Sequence, residues 1–476
     1  MTATTVAPPS DRRPAAPGWL PLALLLLAGL ALRLLLAFVV FPRSGLRFDV
    51  DLFAEWTRSL VDHGPGGVYA TTPSLNYPPA WLWVLWANGE LATAWAGLTG
   101  GSAADAIAVT VKLPAIMADV LVAWAVYRAT RRWTGDARWG LAVAAAWLFV
   151  PVTWMDGALW GQVDVAGVLL GGLAVIWLID RRPELATAAA MLALLAKPQF
   201  ALFAGVVGVV LLRRHLRRPG PEGWRRDREG PVRLLTSAVV AIAVALVVTL
   251  PFDTGSRTDA FAGVPVLHGV AGLVAVMAST AGAFADLTAN AFNPWALVGP
   301  TPLIGPDGLA TRWTPDSLPV LGVPASVLGA ALYLAITAGV VALLWRRPDR
   351  DGILVATVIL AAAFFVVPTR VHERYLFTAV GIGALLLPRG RGWWAWFALA
   401  ATILAVNIHA ILLSPGGWAA TDGLRSLPFG NLARDPRVAT LVALACVPML
   451  AWPILEGVRL WRAGPDPAGQ EARAAR

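Results

Sequence analysis

A ladder of apolar stretches, separated by short arginine clusters, limits what this chain can fold into more than any other feature. The stretches fall at 19–41, 108–127, 139–155, 160–179, 184–197, 199–212, 234–251, 318–345, 352–368, 374–388, 392–412 and 437–456. About 20 apolar residues cross a bilayer as a helix. Inside lipid, only helices and closed barrels satisfy every backbone polar group. The expected fold is therefore an all-α polytopic membrane protein of about 12 transmembrane helices. Composition agrees: 57% of the 476 residues are hydrophobic and 14% charged, against about 25% charged in soluble domains. The first stretch, Trp19 to Phe41, is too long for a signal-peptide core, and no Ala-x-Ala site follows it. Cys446 is the single cysteine, which excludes an internal disulfide and a cysteine-built metal site. The five histidines form no His-x-x-x-His pair, so neither a metal centre nor a cofactor is expected. The net charge of +9 could suggest nucleic acid. The arginines instead sit between apolar stretches, where membrane orientation accounts for them, and no nucleic-acid partner is expected.

Twenty-five of the 38 basic residues lie in the two tails and in the joints at 128–138, 181–182, 213–233, 346–350 and 389–391. All of them fall on one face if 80–98, rich in tryptophan (Trp81, Trp83, Trp86, Trp95), does not cross but lies in the opposite interface. This orientation puts both termini in the cytoplasm. It divides the chain into a disordered cytoplasmic tail (1–18), one transmembrane domain (19–456) and a second cytoplasmic tail (457–476). The outer loops are 42–107, 252–317 and 413–436, and they carry interfacial helices. Val264 to Phe284 has the character of a re-entrant hairpin.

Polar residues are costly at membrane depth, so their placement is informative. Five turns bring them to the outer face. Asp49 and Asp51 open the first loop, and Asn76-Tyr77-Pro78-Pro79 follows later in it. Gln162 and Asp164 lie between two stretches, as does Lys197-Pro198-Gln199. Asn290-Ala291-Phe292-Asn293-Pro294-Trp295 lies in the second loop, and Arg370, His372, Glu373 and Arg374 fall within five residues. Each has a plainer reading. Asp49 and Asp51 could be solvated acids or N-caps, Lys197 could snorkel, and Gln162 and Asp164 could pair with a neighbouring helix. The 370–374 segment could be an ordinary polar hairpin, and Arg33 could neutralise a buried acid. The collection on one face argues for an active site at the membrane–water boundary.

These residues resemble the GT-C superfamily of membrane glycosyltransferases, which use polyprenyl-phosphate-linked sugars. The nearest branch is that of bacterial mannosyltransferase-like proteins related to the second mannosyltransferase of GPI-anchor synthesis. The resemblance covers about 20–455 and rests on five segments in order: Asp49-x-Asp51 with Trp56, Asn76-Tyr77-Pro78-Pro79, Gly161-Gln162-Val163-Asp164, Asn290-Ala291-Phe292-Asn293, and His372-Glu373-Arg374-Tyr375-Leu376-Phe377. Pro294 and Thr378 depart from the family pattern. The resemblance implies a GT-C-like fold and transfer of a hexose, with mannose favoured and inversion at the anomeric carbon. Asp49 would be the catalytic base. Asp51, Asn76, Tyr77, Gln162, Asp164, Lys197, Asn293, Arg370, His372, Glu373 and Arg374 would bind substrate. The partners implied are a polyprenyl-phosphate sugar donor, a glycolipid, polysaccharide or protein acceptor, and membrane lipid. The setting implied is the bacterial plasma membrane, with the site facing outward. A secondary transporter, or a non-catalytic protein of envelope-polysaccharide assembly, is the alternative.

Overall fold

The computed structural model describes residues 19–42, 44–216, 229–298, 314–412, 432 and 435–464. The expected tail 1–18, most of the arginine-rich 213–233 joint, the loop 413–436 except a few residues, and the end of the C-terminal tail lie outside the described residues. The chain is an all-α membrane protein. Its helices are α1 (Trp19–Leu35), α2 (Arg47–Thr71), α3 (Pro79–Thr99), α4 (Ala103–Thr110), α5 (Leu113–Thr134), α6 (Ala137–Phe149), α7 (Pro151–Trp154), α8 (Asp164–Ile179) and α9 (Pro183–Ala196). They continue with α10 (Ala201–His215), α11 (Glu229–Thr249), α12 (Pro265–Gly282), α13 (Ala325–Arg346), α14 (Arg350–Val366), α15 (Phe377–Ala384), α16 (Arg391–Leu412) and α17 (Pro436–Ala463). One strand pair, Pro319–Val320 against Val323–Pro324, precedes α13. Its turn residues Leu321 and Gly322 both have positive φ, as a two-residue hairpin of the primed type requires.

Among the described residues, six helices are long and apolar enough to cross a membrane: α1, α4–α5, α11, α13, α16 and α17. The other expected stretches are shorter or broken. The pair α6 and α7 bends by 52° where Pro151 enters. The helices α8, α9, α10, α14 and α15 run to 16, 14, 15, 17 and 8 residues. For α14 and α15 the reason lies in burial. α15 is buried throughout, and α14 nearly so. A helix wrapped in protein needs no full bilayer length, because its ends meet protein groups rather than lipid. Three other expectations are corrected. α12 is one helix and not a hairpin. The strand pair occupies the start of the stretch expected at 318. α17 continues seven residues beyond 456, to Ala463. α3 is a 21-residue helix and is not one of the six. It packs on α2, and Trp83 Nε1 donates to the Val248 carbonyl at 3.0 Å.

The arginine joints converge at one end of the bundle. Arg132 pairs with Asp180, and Arg350 donates to the Trp133 carbonyl. Arg214 donates to the Leu178 and Pro348 carbonyls, and Arg389 pairs with Asp351. The turns carrying Asp164, Lys197 and Arg370–Arg374 sit at the other ends of α8, α10 and α14.

Deep in the bundle, Arg33 of α1 has its charge met on every side. Its Nε lies 2.7 Å from Asp119 Oδ2, and its other nitrogens donate to the Gly29 and Leu148 carbonyls and to Thr153 Oγ1, each at 3.0 Å. Both partners are fully buried. This ties α1 to α5 and to the bend before α7. Asp119→Ala strands the guanidinium, and we expect a loss of about 3–5 kcal/mol. Arg33→Met combined with Asp119→Leu should recover most of it, read as thermal unfolding of the purified variants.

Candidate active site

The site begins with a clamp on the segment ahead of α2. Lys112 Nζ donates to the Ser44 carbonyl and, at 2.8 Å, to the Leu159 carbonyl, while Ser44 Oγ donates to Leu159 at 3.1 Å. Gly45 has φ +118°, and a Cβ there would lie 2.9 Å from the Leu159 carbonyl oxygen, so a larger residue would push the segment away. The clamp sets Asp49 in the first turn of α2, facing the turn that follows α7. That turn (Met155–Trp160) ends at Gly161, with φ +81°. Asp49 Oδ2 accepts from Trp160 Nε1 at 3.0 Å and from Gln162 Nε2 at 2.6 Å. Both bonds fall on one oxygen, which leaves Oδ1 available to take a proton. Burial holds the Asp49 pKa above the usual carboxylate range, with the Arg374 charge opposing that shift.

Behind Asp49 lies a second carboxylate. Asp164, fully buried at the start of α8, accepts from Gln199 Nε2 at 2.5 Å and from Lys197 Nζ at 3.3–3.4 Å. Arg374 Nε lies 3.3 Å from Asp164 Oδ2. Arg374 also donates to Glu373 Oε1 at 2.6 Å, and its guanidinium lies 5.2 Å from the Trp160 ring centroid. His372 Nδ1 is 3.8 Å from Glu373 Oε2. The His372 ring also meets Phe284 edge-on at 4.7 Å and lies 5.2 Å from the Tyr375 ring. Burial lowers the His372 pKa, which favours the neutral ring. Burial works to raise that of Glu373, but Arg374 and His372 outweigh it and hold the carboxyl down at about 2.

One face of this cluster opens into a cavity of about 590 Å³. Lys197, Gln199, Arg370 and His372 border it, and its walls descend between α10, α13 and α14 through Leu202, Val206, Val209, Val340 and Leu360. The arrangement is a charged mouth on an apolar groove.

Asp49, Gln162, Asp164, Lys197, His372, Glu373 and Arg374 come together. Tyr77 borders them, with its ring 5.8 Å from Lys197 Nζ. Asn76 acts through its backbone, accepting from Thr280 Oγ1 at 2.6 Å. Three expected residues stand apart. Asp51 is exposed, because two helical residues turn it about 200° from Asp49. Asn293 is buried and spent on backbone, donating to the Phe365 carbonyl and capping Trp295 N. Arg370 reaches the cavity rim but is tied to Asp316, with Nε 2.7 Å from Oδ2. The expected site residues omitted Trp160, Gln199 and Asp156. Trp160 and Gln199 lie two residues from Gln162 and Lys197, which were chosen, whereas Asp156 lies six residues ahead of Gln162. Asp156 is fully buried, and neither carboxylate oxygen has a hydrogen-bond partner among the described residues. No group of three or more His, Cys, Asp or Glu among those residues is placed to hold a metal.

A depressed carboxylate stabilises the fold above its unfolded pKa and loses that contribution as pH falls towards its folded one. Stability from Glu373 is thus complete above about pH 4.5 and declines towards pH 2. Glu373→Gln should lie below wild type at neutral pH and converge with it in acid, measured as thermal unfolding against pH. In comparison with known proteins, no protein-family model and no curated protein matches this chain.

Proposed function

We propose that this chain is an integral-membrane glycosyltransferase that moves a hexose from a polyprenyl-phosphate donor to an acceptor outside the cytoplasm. The single observation that carries this reading is the 590 Å³ cavity. Its polar mouth suits a phosphate, and its apolar groove suits a long isoprenoid chain. The lipid tail would lie between α10 and α13, with the phosphate at Lys197 in the mouth and next to Arg374, which meets the same Asp164 carboxylate from behind. Arg supplies a forked donor for phosphate oxygens, and both cations are held in place before substrate arrives.

In the reaction, an acceptor hydroxyl gives its proton to Asp49 Oδ1 as its oxygen attacks the anomeric carbon. The bond from that carbon to the phosphate oxygen breaks, and polyprenyl phosphate leaves as an anion that needs no proton. Attack opposite the leaving group inverts the centre. Trp160 and Gln162 orient the base, and its raised pKa makes it a better proton acceptor. Mannose is favoured by the resemblance. The acceptor class is a glycolipid, polysaccharide or protein. All twelve apolar segments would cross or enter the membrane, a bacterial plasma membrane, with the arginine end in the cytoplasm. One observation favours a second reading. The 52° bend beside a buried ion cluster is also a transporter-like feature.

Transfer from a panel of radiolabelled polyprenyl-phosphate sugars, by the full chain in lipid, separates the two readings. We expect transfer from one donor and its loss by about 10²–10⁴-fold in Asp49→Asn, the range for a removed base. Uptake of free solute into vesicles without transfer would instead select the transporter. Because Asp49 must be ionised, transfer should fall as pH drops through its raised pKa. Gly205 lines the groove, and a Cβ there meets nothing within 4 Å. Gly205→Leu should therefore raise KM for a long-chain donor while leaving a two-isoprene analogue unaffected. Equal effects on both donors would remove the groove from the reading.

A further inference from the structure

At the end of the bundle opposite Asp49, α10, α13 and α17 leave a second cleft of about 630 Å³. Arg213, Arg346, Trp345 and Trp461 form its head, and Ala338 and Val341 form its apolar wall. No carboxylate lines it among the described residues. The Arg346 guanidinium stacks 4.5 Å from the Trp461 ring centroid, and that of Arg213 lies 5.7 Å from the Trp345 ring centroid. Arg213 Nε donates to the Trp345 carbonyl at 2.6 Å. The neighbouring Arg347 is spent on Asp349 and on the Leu460 and Gly464 carbonyls. Arg346, by contrast, is exposed and makes no ion pair among the described residues. Stacking occupies the face of a guanidinium and leaves its N–H edge for an anion. Val341 lines both this cleft and the 590 Å³ cavity, so apolar surface continues along α13 from one to the other.

The geometry points to an anionic-phospholipid site in this cleft, with the phosphate at Arg346 beside Trp461 and the acyl chains against Ala338 and Val341. Two features select that occupant: arginine paired with tryptophan belongs at headgroup depth, and basic pockets between membrane helices bind anionic headgroups. The 22 residues of α13 span about 33 Å, near the thickness of the hydrocarbon core, so this site and the cavity mouth lie in opposite leaflets. The inference goes beyond the proposed reaction and holds whatever that site transfers.

The test is native mass spectrometry of the full-length protein in detergent with equimolar phosphatidylglycerol and phosphatidylcholine. Wild type should retain phosphatidylglycerol about fivefold over phosphatidylcholine, the scale of one charge at a membrane surface. Arg346→Glu should abolish the preference. Ala338→Trp, which fills the cleft without altering charge, should reduce retention of phosphatidylglycerol. Arg128→Glu supplies the control, since Arg128 also stacks on a tryptophan, 5.4 Å from the Trp124 ring centroid, but lies outside the cleft. It should retain lipid as wild type does. Glycerol phosphate should not displace the lipid, because it lacks acyl chains. Equal retention of both lipids by wild type, a preference that survives Arg346→Glu, or an equal loss in Arg128→Glu would overturn the site.

Discussion

A carboxylate withdrawn from water has to be solvated by the chain itself, and Asp164 meets that requirement with three groups from two separate segments. Lys197 and Gln199 arrive from the joint between α9 and α10, and Arg374 arrives from the turn after α14. None of the three is near Asp164 in sequence, so the ion cluster forms only when α8, α10 and α14 are packed side by side. The helices that carry it are therefore held in one register by charge as well as by shape. Removing a single member leaves an uncompensated charge, which is far costlier than losing an apolar contact. Asp49 depends on the same assembly. Its partners Trp160 and Gln162 belong to the turn leading into Asp164, and Arg374 lies over the same Trp160 ring.

The second support is a cation held without an acid. Lys112 is satisfied by two carbonyls and the Ser44 hydroxyl, and it joins the segment ahead of α2 to the end of the 155–160 turn. Gly45 and Gly161 allow the approach, since a Cβ on either would collide with Leu159 or with Lys112 itself. Arg33 and Asp119 repeat this logic deeper in the bundle with an ion pair. Together these contacts make the bend after α6 a fixed corner rather than a hinge.

The helical class was legible because a bilayer admits few structures, and apolar length reports it directly. Much of the site was legible for a similar reason, since polar residues between apolar walls must find partners. Asp49, Gln162, Asp164, Lys197 and Arg374 do so with one another. What the sequence concealed was helix length and side-chain direction. Apolar composition cannot separate a largely uncovered helix such as α13 from a sheathed helix such as α14, because lipid tails and protein interiors are equally apolar. Asp51 and Asn293 carry suitable chemistry, but helical rotation turns one outward, and a backbone cap consumes the other.

The long and short helices differ in what they feel. α14 is sheathed by protein, whereas only five of the 22 residues of α13 are buried. A bilayer that thins or thickens acts by tilting the helices it touches. The groove between α10 and α13 therefore has one wall coupled to the membrane and one anchored to the ion cluster, through Lys197 and Gln199 just ahead of α10. In a bilayer, a change of thickness would act first on the spacing of these walls, and least on the residues around Asp49, whose partners come from packed segments.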